Sequence, residues 1–161
     1  DAGELDFAVV EGEFPREEYE FLLYRKEPYV PVASRKKAEQ YRNAEFRELL
    51  SERLILREPG SGTREILERE LRRRGMTTDD FSQITELGNI GAIQAMLRAN
   101  LGISFFYQAT LTDRETQLAP IELKDFSLEH EVMFIFRKNS SFREDYEEIY
   151  AFLTNRENSQ N

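Results

Sequence analysis

The chain has 161 residues, enough for one domain or two small lobes around a real core. With 40% hydrophobic and 33% charged residues it reads as globular rather than disordered. A net charge of −9 argues against this chain gripping nucleic acid by itself, and zero cysteines exclude disulfides, zinc–thiolate sites and a cysteine nucleophile.

No stretch reaches the uninterrupted apolar length of a membrane span, and the N-terminus lacks a signal-peptide pattern. Residues 35–74 hold 12 of the 22 basic residues, but most alternate with glutamate at helical spacing, the pattern of a solvated face.

In chain order, Phe7-Ala8-Val9-Val10 reads as a strand ending at Glu11-Gly12. The chain opens directly on this core strand, so the beginning of a domain is expected to lie upstream. Residues 19–24 read as a second strand and 29–33 as a third, with Pro28 and Pro31 confining part of it to an edge or a crossover. Residues 34–40 are polar and expected as a loop. A short amphipathic helix follows over 45–52, turning Phe46, Leu49 and Leu50 inward.

Leu54-Ile55-Leu56 then leads into Arg57-Glu58-Pro59-Gly60-Ser61-Gly62-Thr63-Arg64 and a helix over 65–74. A strand, tight turn and helix start leaves unpartnered N–H groups aimed at one point, with the positive end of the helix dipole behind them. That arrangement holds an anion or carboxylate without a catalytic group. The alternative is that Ser61 only caps its own helix. Ile66, Leu67 and Leu71 make the buried stripe of this helix, and Gly75 is its stop. Glu65–Arg69, Glu68–Arg72 and Glu70–Arg74 are (i, i+4) pairs worth only ~0.3 kcal/mol each. Their presence makes Arg72-Arg73-Arg74 solvated surface rather than a phosphate patch.

The theme repeats. Residues 82–87 read as a strand, Gly88 as a turn, and Asn89 as the cap of a helix over 90–100 with Ile90, Ile93 and Leu97 on one side. Leu101-Gly102 ends it before a strand over 103–106. Strand–turn–helix–strand twice over points to α/β layers with parallel strands and helix starts at the carboxyl edge of the sheet. A connector over 107–116, a strand over 118–123 and a buried strand over 132–136 follow. Ser141-Phe142-Arg143-Glu144 has capping-box spacing. The helix it opens aligns Phe142, Tyr146, Ile149 and Leu153, and 155–161 reads as a frayed tail.

Chemistry-bearing constellations are sparse. The single histidine, His130, sits between Glu129 and Glu131, which a strand would turn to the opposite face, so it reads as a strand-end or surface histidine. Pro59 stands where a nucleophile elbow needs glycine, and the turn lacks the Gly-Lys-Ser/Thr ending of a phosphate-binding loop. The expectation is a protein without catalysis, cofactor or metal.

Four stretches in order resemble the effector-binding domain of a LysR-type transcriptional regulator: residues 3–12, 54–64, 89–93 and 100–106. The closing strand and helix, Val132 to Leu153, match as well. The resemblance implies a two-lobed α/β fold of the type II periplasmic-binding-protein kind, with the effector in the interlobe cleft. It implies a partial first lobe in 1–27, a second lobe in 28–136 including the crossover strands, and a C-terminal helix over 137–161 returning to the first lobe. Ser61, Gly62 and Thr63 would then supply donors, and Leu87, Gly88 and Asn89 would line the cleft. Glu11, Gly12 and Phe14 would form the first-lobe wall, with Glu11 alternatively a solvated loop residue, and Ile103 or Phe105 the floor. Tyr107 stands where the family often has proline, which implies a bulkier, more polar wall.

The implied partners are a small, anionic or carboxylate effector and DNA, the latter only through a helix-turn-helix missing here. The implied setting is a cytoplasmic homodimer or tetramer. Two other readings stay open: the solute-binding protein of a transporter with the same cleft, and an enzyme on the same fold.

Overall fold

A computed structural model describes residues 7–11, 15–138 and 141–158. Contacts divide the chain into two compact units, residues 1–27 with 129–161, and residues 28–128. This groups 129–136 with 1–27, where the sequence reading had joined them to 28–128, because β7 (Glu129–Arg137) pairs antiparallel with β1 (Phe7–Glu11).

In that unit β7 lies between β1 and β2 (Tyr19–Ser34). Residues 132–136 are buried throughout, as the unalternating apolar run requires. The helix α4 (Arg143–Asn158) covers one face: Phe134, Phe136 and Tyr146 form the core, with Leu22, Tyr24, Phe142, Ile149 and Leu153 packed around them. The predicted stripe of α4 is therefore the buried one. Its last residues are helical through Asn158 rather than frayed from 155.

The prolines did not divide β2. One strand of 16 residues, Tyr19–Ser34, replaces the two expected. Pro31 contributes its carbonyl to Ile121 N–H at 2.8 Å, and Tyr29 N–H donates to the Leu128 carbonyl at 2.9 Å. Residues 34–40 are not a loop either. Ser34 Oγ accepts from Lys37 N–H at 3.2 Å and starts α1 (Arg35–Gln40). Burial of Lys37 against Glu52 at 2.6 Å stabilises a helix that its polar sequence alone would not announce.

Within residues 28–128, β2 pairs antiparallel with β5 (Ser104–Tyr107) and β6 (Leu118–Pro120). β3 (Arg53–Leu56) pairs in parallel with β4 (Gln83–Glu86), and Leu54 bridges Ile103 in parallel as well. The two expected strand–turn–helix units are present, with α2 spanning Gly62–Arg73 and α3 spanning Ile90–Arg98. The helix expected over 45–52 is a 3-10 turn, Phe46–Ser51, with Phe46 and Leu49 buried and Leu50 half-buried.

α2 buries Ile66, Leu67 and Leu71, each fully buried side chain contributing about 1.5–3 kcal/mol. It ends in a left-handed turn at Gly75 (φ +75°), where Gly75 N–H donates to Arg72 O and Met76 N–H to Leu71 O, the Schellman pattern. Of the three expected ion pairs only Glu70–Arg74 is present, beside Arg64–Glu68 and Arg73–Glu70. Arg74 is not solvated surface: its guanidinium lies 4.6 Å over the Phe46 ring and reaches Asp125. Among the described residues no helix is long and apolar enough to cross a membrane.

Candidate functional site

Leu54, Ile55 and Leu56 are buried on both faces of β3, which brings the chain to Arg57 at the edge of the sheet. Gly60 (φ +91°) then allows the sharp reversal into α2, a conformation that side-chain-bearing residues rarely adopt. Ser61 occupies the N-cap position, yet its hydroxyl makes no capping bond to the helix. Its Oγ instead sits 3.0 Å from Thr63 Oγ1. The expectation that Ser61 only caps its own helix is thus not met, and the first turn of α2 keeps its donors uncapped by that side chain. Asn89 behaves in the opposite way. Its Oδ1 accepts from Ala92 N–H at 3.1 Å, so the start of α3 is already satisfied there.

The two helix starts converge. Thr63 and Arg64 from α2 and Ile90 and Ile93 from α3 line one cavity of about 10 Å³, room for a single water. Leu56 at the end of β3 and Arg57 just beyond it close the cavity, with Tyr29, Ser104, Phe105 and Phe106 from β2 and β5. All these residues belong to the 28–128 unit. Tyr29 OH donates to the Thr63 carbonyl at 2.8 Å, tying β2 to the first turn of α2. Burial pushes the Tyr29 phenol well above its ordinary pKa, Tyr107 adding to the effect, so it stays a neutral donor.

Two arginines line this cavity, and neither was among the expected site residues. Arg64 donates through Nη1 to Glu86 Oε1 at 2.8 Å and to the Arg57 carbonyl at 3.0 Å, and through Nε to Glu68 Oε1 at 2.8 Å. Its hydrogen bond to Glu86 leads the causes that raise its pKa, so it is a fixed cation. Arg57 forms a two-point pair with Glu58 at 3.1 and 3.0 Å, which holds the exposed Glu58 carboxyl below its ordinary value. The positions of both arginines at the ends of the turn were the available signal; nothing local said that Glu86 would hold Arg64.

Of the expected residues, Thr63 and Phe105 line the cavity, with Ser61 bonded to Thr63 and exposed Gly62 between them. Leu87 donates its N–H to Leu56 O at 2.8 Å and packs on a core cluster beside Ile93, while a Cβ at Gly88 would meet Glu58 Oε2 at 3.6 Å. Ile103 is fully buried in the core and does not line the cavity. Tyr107 is no wall either, its ring edge-on to Tyr29 at 5.8 Å within the same core. Glu11 pairs through its backbone with Val132 in the other unit; Gly12 and Phe14 lie outside the described residues. His130 lies in β7.

Parallel β3–β4, helices opening at the strands' carboxyl ends and a returning antiparallel β5 define a ligand-binding α/β domain of the type II periplasmic-binding-protein kind. The chain belongs to the LysR substrate binding domain family, whose model matches residues 1–157. The regulatory domain of CcmR from Synechocystis PCC6803, solved in complex with 2-PG, superposes with a TM-score of 0.74 at 23% identity, covering 92% of this chain and 72% of that one. The BenM effector binding domain with its effector benzoate gives 0.69 at 16% identity, covering 91% and 70%. The sulfate-bound OxyR2 E204G regulatory domain from Vibrio vulnificus gives 0.70 at 19% identity, covering 95% and 73%. At these identities the likeness is one of fold. An 85-residue stretch is also 27% identical to the phosphonates import ATP-binding protein PhnC of Anaeromyxobacter dehalogenans (strain 2CP-C), spanning 52% of this chain but 17% of that protein.

Proposed function

We propose that this domain is the effector sensor of a LysR-type transcriptional regulator and takes a small anion, carboxylate or oxyanion, at the paired starts of α2 and α3. The observation that carries this is the shared cavity: Thr63, Arg57 and Arg64, whose side chains carry hydroxyl and guanidinium donors, line it at the start of α2, where the N-cap side chain makes no capping bond. An anion there gains from both dipole and fork-shaped donors. No catalysis is part of this reading; the site holds donors and apolar walls but no nucleophile with a base beside it. Benzoate in BenM and sulfate in OxyR2 are anions, in keeping with the same chemistry.

A cavity with room for one water must open to admit such a ligand. Ligand therefore favours whichever state is more open, and that differential affinity is what a regulator converts into altered DNA binding. DNA itself would be read by a separate helix-turn-helix in a cytoplasmic dimer or tetramer, since a net charge of −9 argues against this domain gripping the nucleic-acid backbone by itself.

Titrating the protein with benzoate, sulfate and inorganic phosphate while following backbone amide resonances tests the reading. The expected result is shifts centred on Thr63, Arg64 and Ile90, weakened about five- to ten-fold by Thr63→Ala, the net worth of one hydrogen bond, about 1 kcal/mol. Shifts that bypass these amides, or affinity unaltered by Thr63→Ala, would sink it.

A second reading has one observation behind it, the 85-residue likeness to an import ATP-binding protein. On that reading the domain senses solute for a transporter. The full-length protein then binds no operator DNA and its ligand is a phosphonate, which gel-shift and the same titration distinguish.

A further inference from the structure

Arg64 is the most interconnected cation of the candidate site, and its partners are unequal. The carbonyl of Arg57 at 3.0 Å and the carboxylate of Glu68 at 2.8 Å belong to the turn and to the helix that carries Arg64 itself. Glu86 is different. It is the last residue of β4, 22 positions away, it makes one contact at 2.8 Å to Nη1, and its side chain is 48% exposed. Nη1 and Nε are thus engaged, while Nη2 has no hydrogen-bond partner among the described residues. A guanidinium prefers to offer Nη1 and Nη2 together to two oxygens of one anion. Glu86 uses half of that fork.

We infer that Glu86 is an internal competitor for the site's anion: an incoming carboxylate or oxyanion takes both Nη1 and Nη2 of Arg64 and displaces Glu86, which makes this pair a specificity filter. The inference rests on the proposed anion site and names the group that sets its selectivity. An exposed, single-point ion pair is weak enough to be exchanged. A ligand with two oxygens on one centre replaces it with a better pair, while a singly charged halide supplies only one contact and gains little. Glu58 holds Arg57 in the same self-neutralised way but through two bonds, and so remains in place. The exchange has a structural consequence as well. Glu86 is one residue from Leu87, whose N–H is held by Leu56 O, so freeing the end of β4 acts directly on the turn that begins α3.

The experiment measures inorganic phosphate and chloride affinity by amide resonances for the wild type, Glu86→Gln, Arg64→Gln and the double variant. Glu39→Gln on α1, 74% exposed in its side chain, serves as a control of equal charge change. The expected result is phosphate binding two- to five-fold tighter in Glu86→Gln, the range of an exposed ion pair. Thermal stability should fall or stay level in that variant, chloride affinity and Glu39→Gln should be unchanged, and the gain should vanish in the Arg64→Gln background. A purely structural Glu86 predicts weaker or unchanged phosphate binding with lower stability, and that outcome overturns the inference. Equal tightening in Glu39→Gln overturns it too, by making the effect one of net charge. Phosphate failing to bind the wild type and every variant overturns instead the anion site on which it stands.

Discussion

Replacing Gly102 with alanine should damage the platform under the candidate site, because among the described glycines the tightest contact for an added methyl is at Gly102. Gly102 leads into β5 against β3. A Cβ placed on it would lie 2.5 Å from the Arg53 carbonyl oxygen and 3.2 Å from both Arg53 Cβ and Ile55 Cδ1. The nearest atom is backbone and cannot swing away, and it is the same oxygen that accepts Ile103 N–H at 2.9 Å. Relief therefore requires β5 to slide from β3, which also strains Ile55 N–H to Ile103 O at 2.8 Å. Overpacking of this kind costs about 1–3 kcal/mol and one weakened strand bond adds about 1, giving roughly 2–4 kcal/mol. For a chain of this size that is a fall of roughly 5–15 °C in melting temperature. Calorimetry or circular dichroism on Gly102→Ala measures it, with Gly88→Ala as comparison, since a Cβ there meets only Glu58 Oε2 at 3.6 Å. A Gly102→Ala melt within about 2 °C of wild type would refute the reasoning. The anion titration should weaken in parallel, because Ser104 and Phe105 line the cavity from the same strand.

Glu52 supplies a test in acid. Burial alone would raise its pKa, but hydrogen bonds from Lys37 Nζ at 2.6 Å and Tyr41 OH at 2.7 Å outweigh this and leave it below its ordinary value. Its contribution is then fully present above an unfolded pKa of about 4.3 and drains away as pH falls through the lowered folded value. Glu52→Gln should cost roughly 2–4 kcal/mol at neutral pH, by leaving Lys37 buried without its counter-charge, and should flatten the stability profile below about pH 4. A profile identical to wild type in that window would remove the network from the account. Asn89→Ala should lose the cap on Ala92 N–H and about 1 kcal/mol, read as a drop of roughly 2–4 °C, while leaving anion affinity within two-fold. A large affinity loss there would make Asn89 a ligand contact rather than a cap. Tyr29→Phe removes the bond to Thr63 O and should cost about 1 kcal/mol, visible as faster amide exchange at the start of α2.

Much of the fold was legible because several elements carry their own instructions. The apolar spacing of Ile66, Leu67 and Leu71, the stop at Gly75 and the cap at Asn89 act within one or two helical turns, so the sequence by itself determined α2 and the start of α3. The unbroken run 132–136 likewise required a strand buried on both faces. The same holds for the glycine turn after β3, since Gly60 adopts a backbone angle that few other residues tolerate. Where meaning depends on a partner far along the chain, only the tertiary structure decided. That β2 runs unbroken through Pro28 and Pro31 goes with partners far along the chain, β5 and β6, which pair with its second half. That α1 exists follows from Glu52, 15 residues beyond the Lys37 it holds. Ile103 and Phe105 alternate along an apolar run, and nothing in their order says which one floors a cavity. Arg57 and Arg64 look in sequence like solvated ends of a turn. Arg64 is instead largely buried because β4 brings Glu86 beside it, and a side-chain direction set by a distant strand is written in no local pattern.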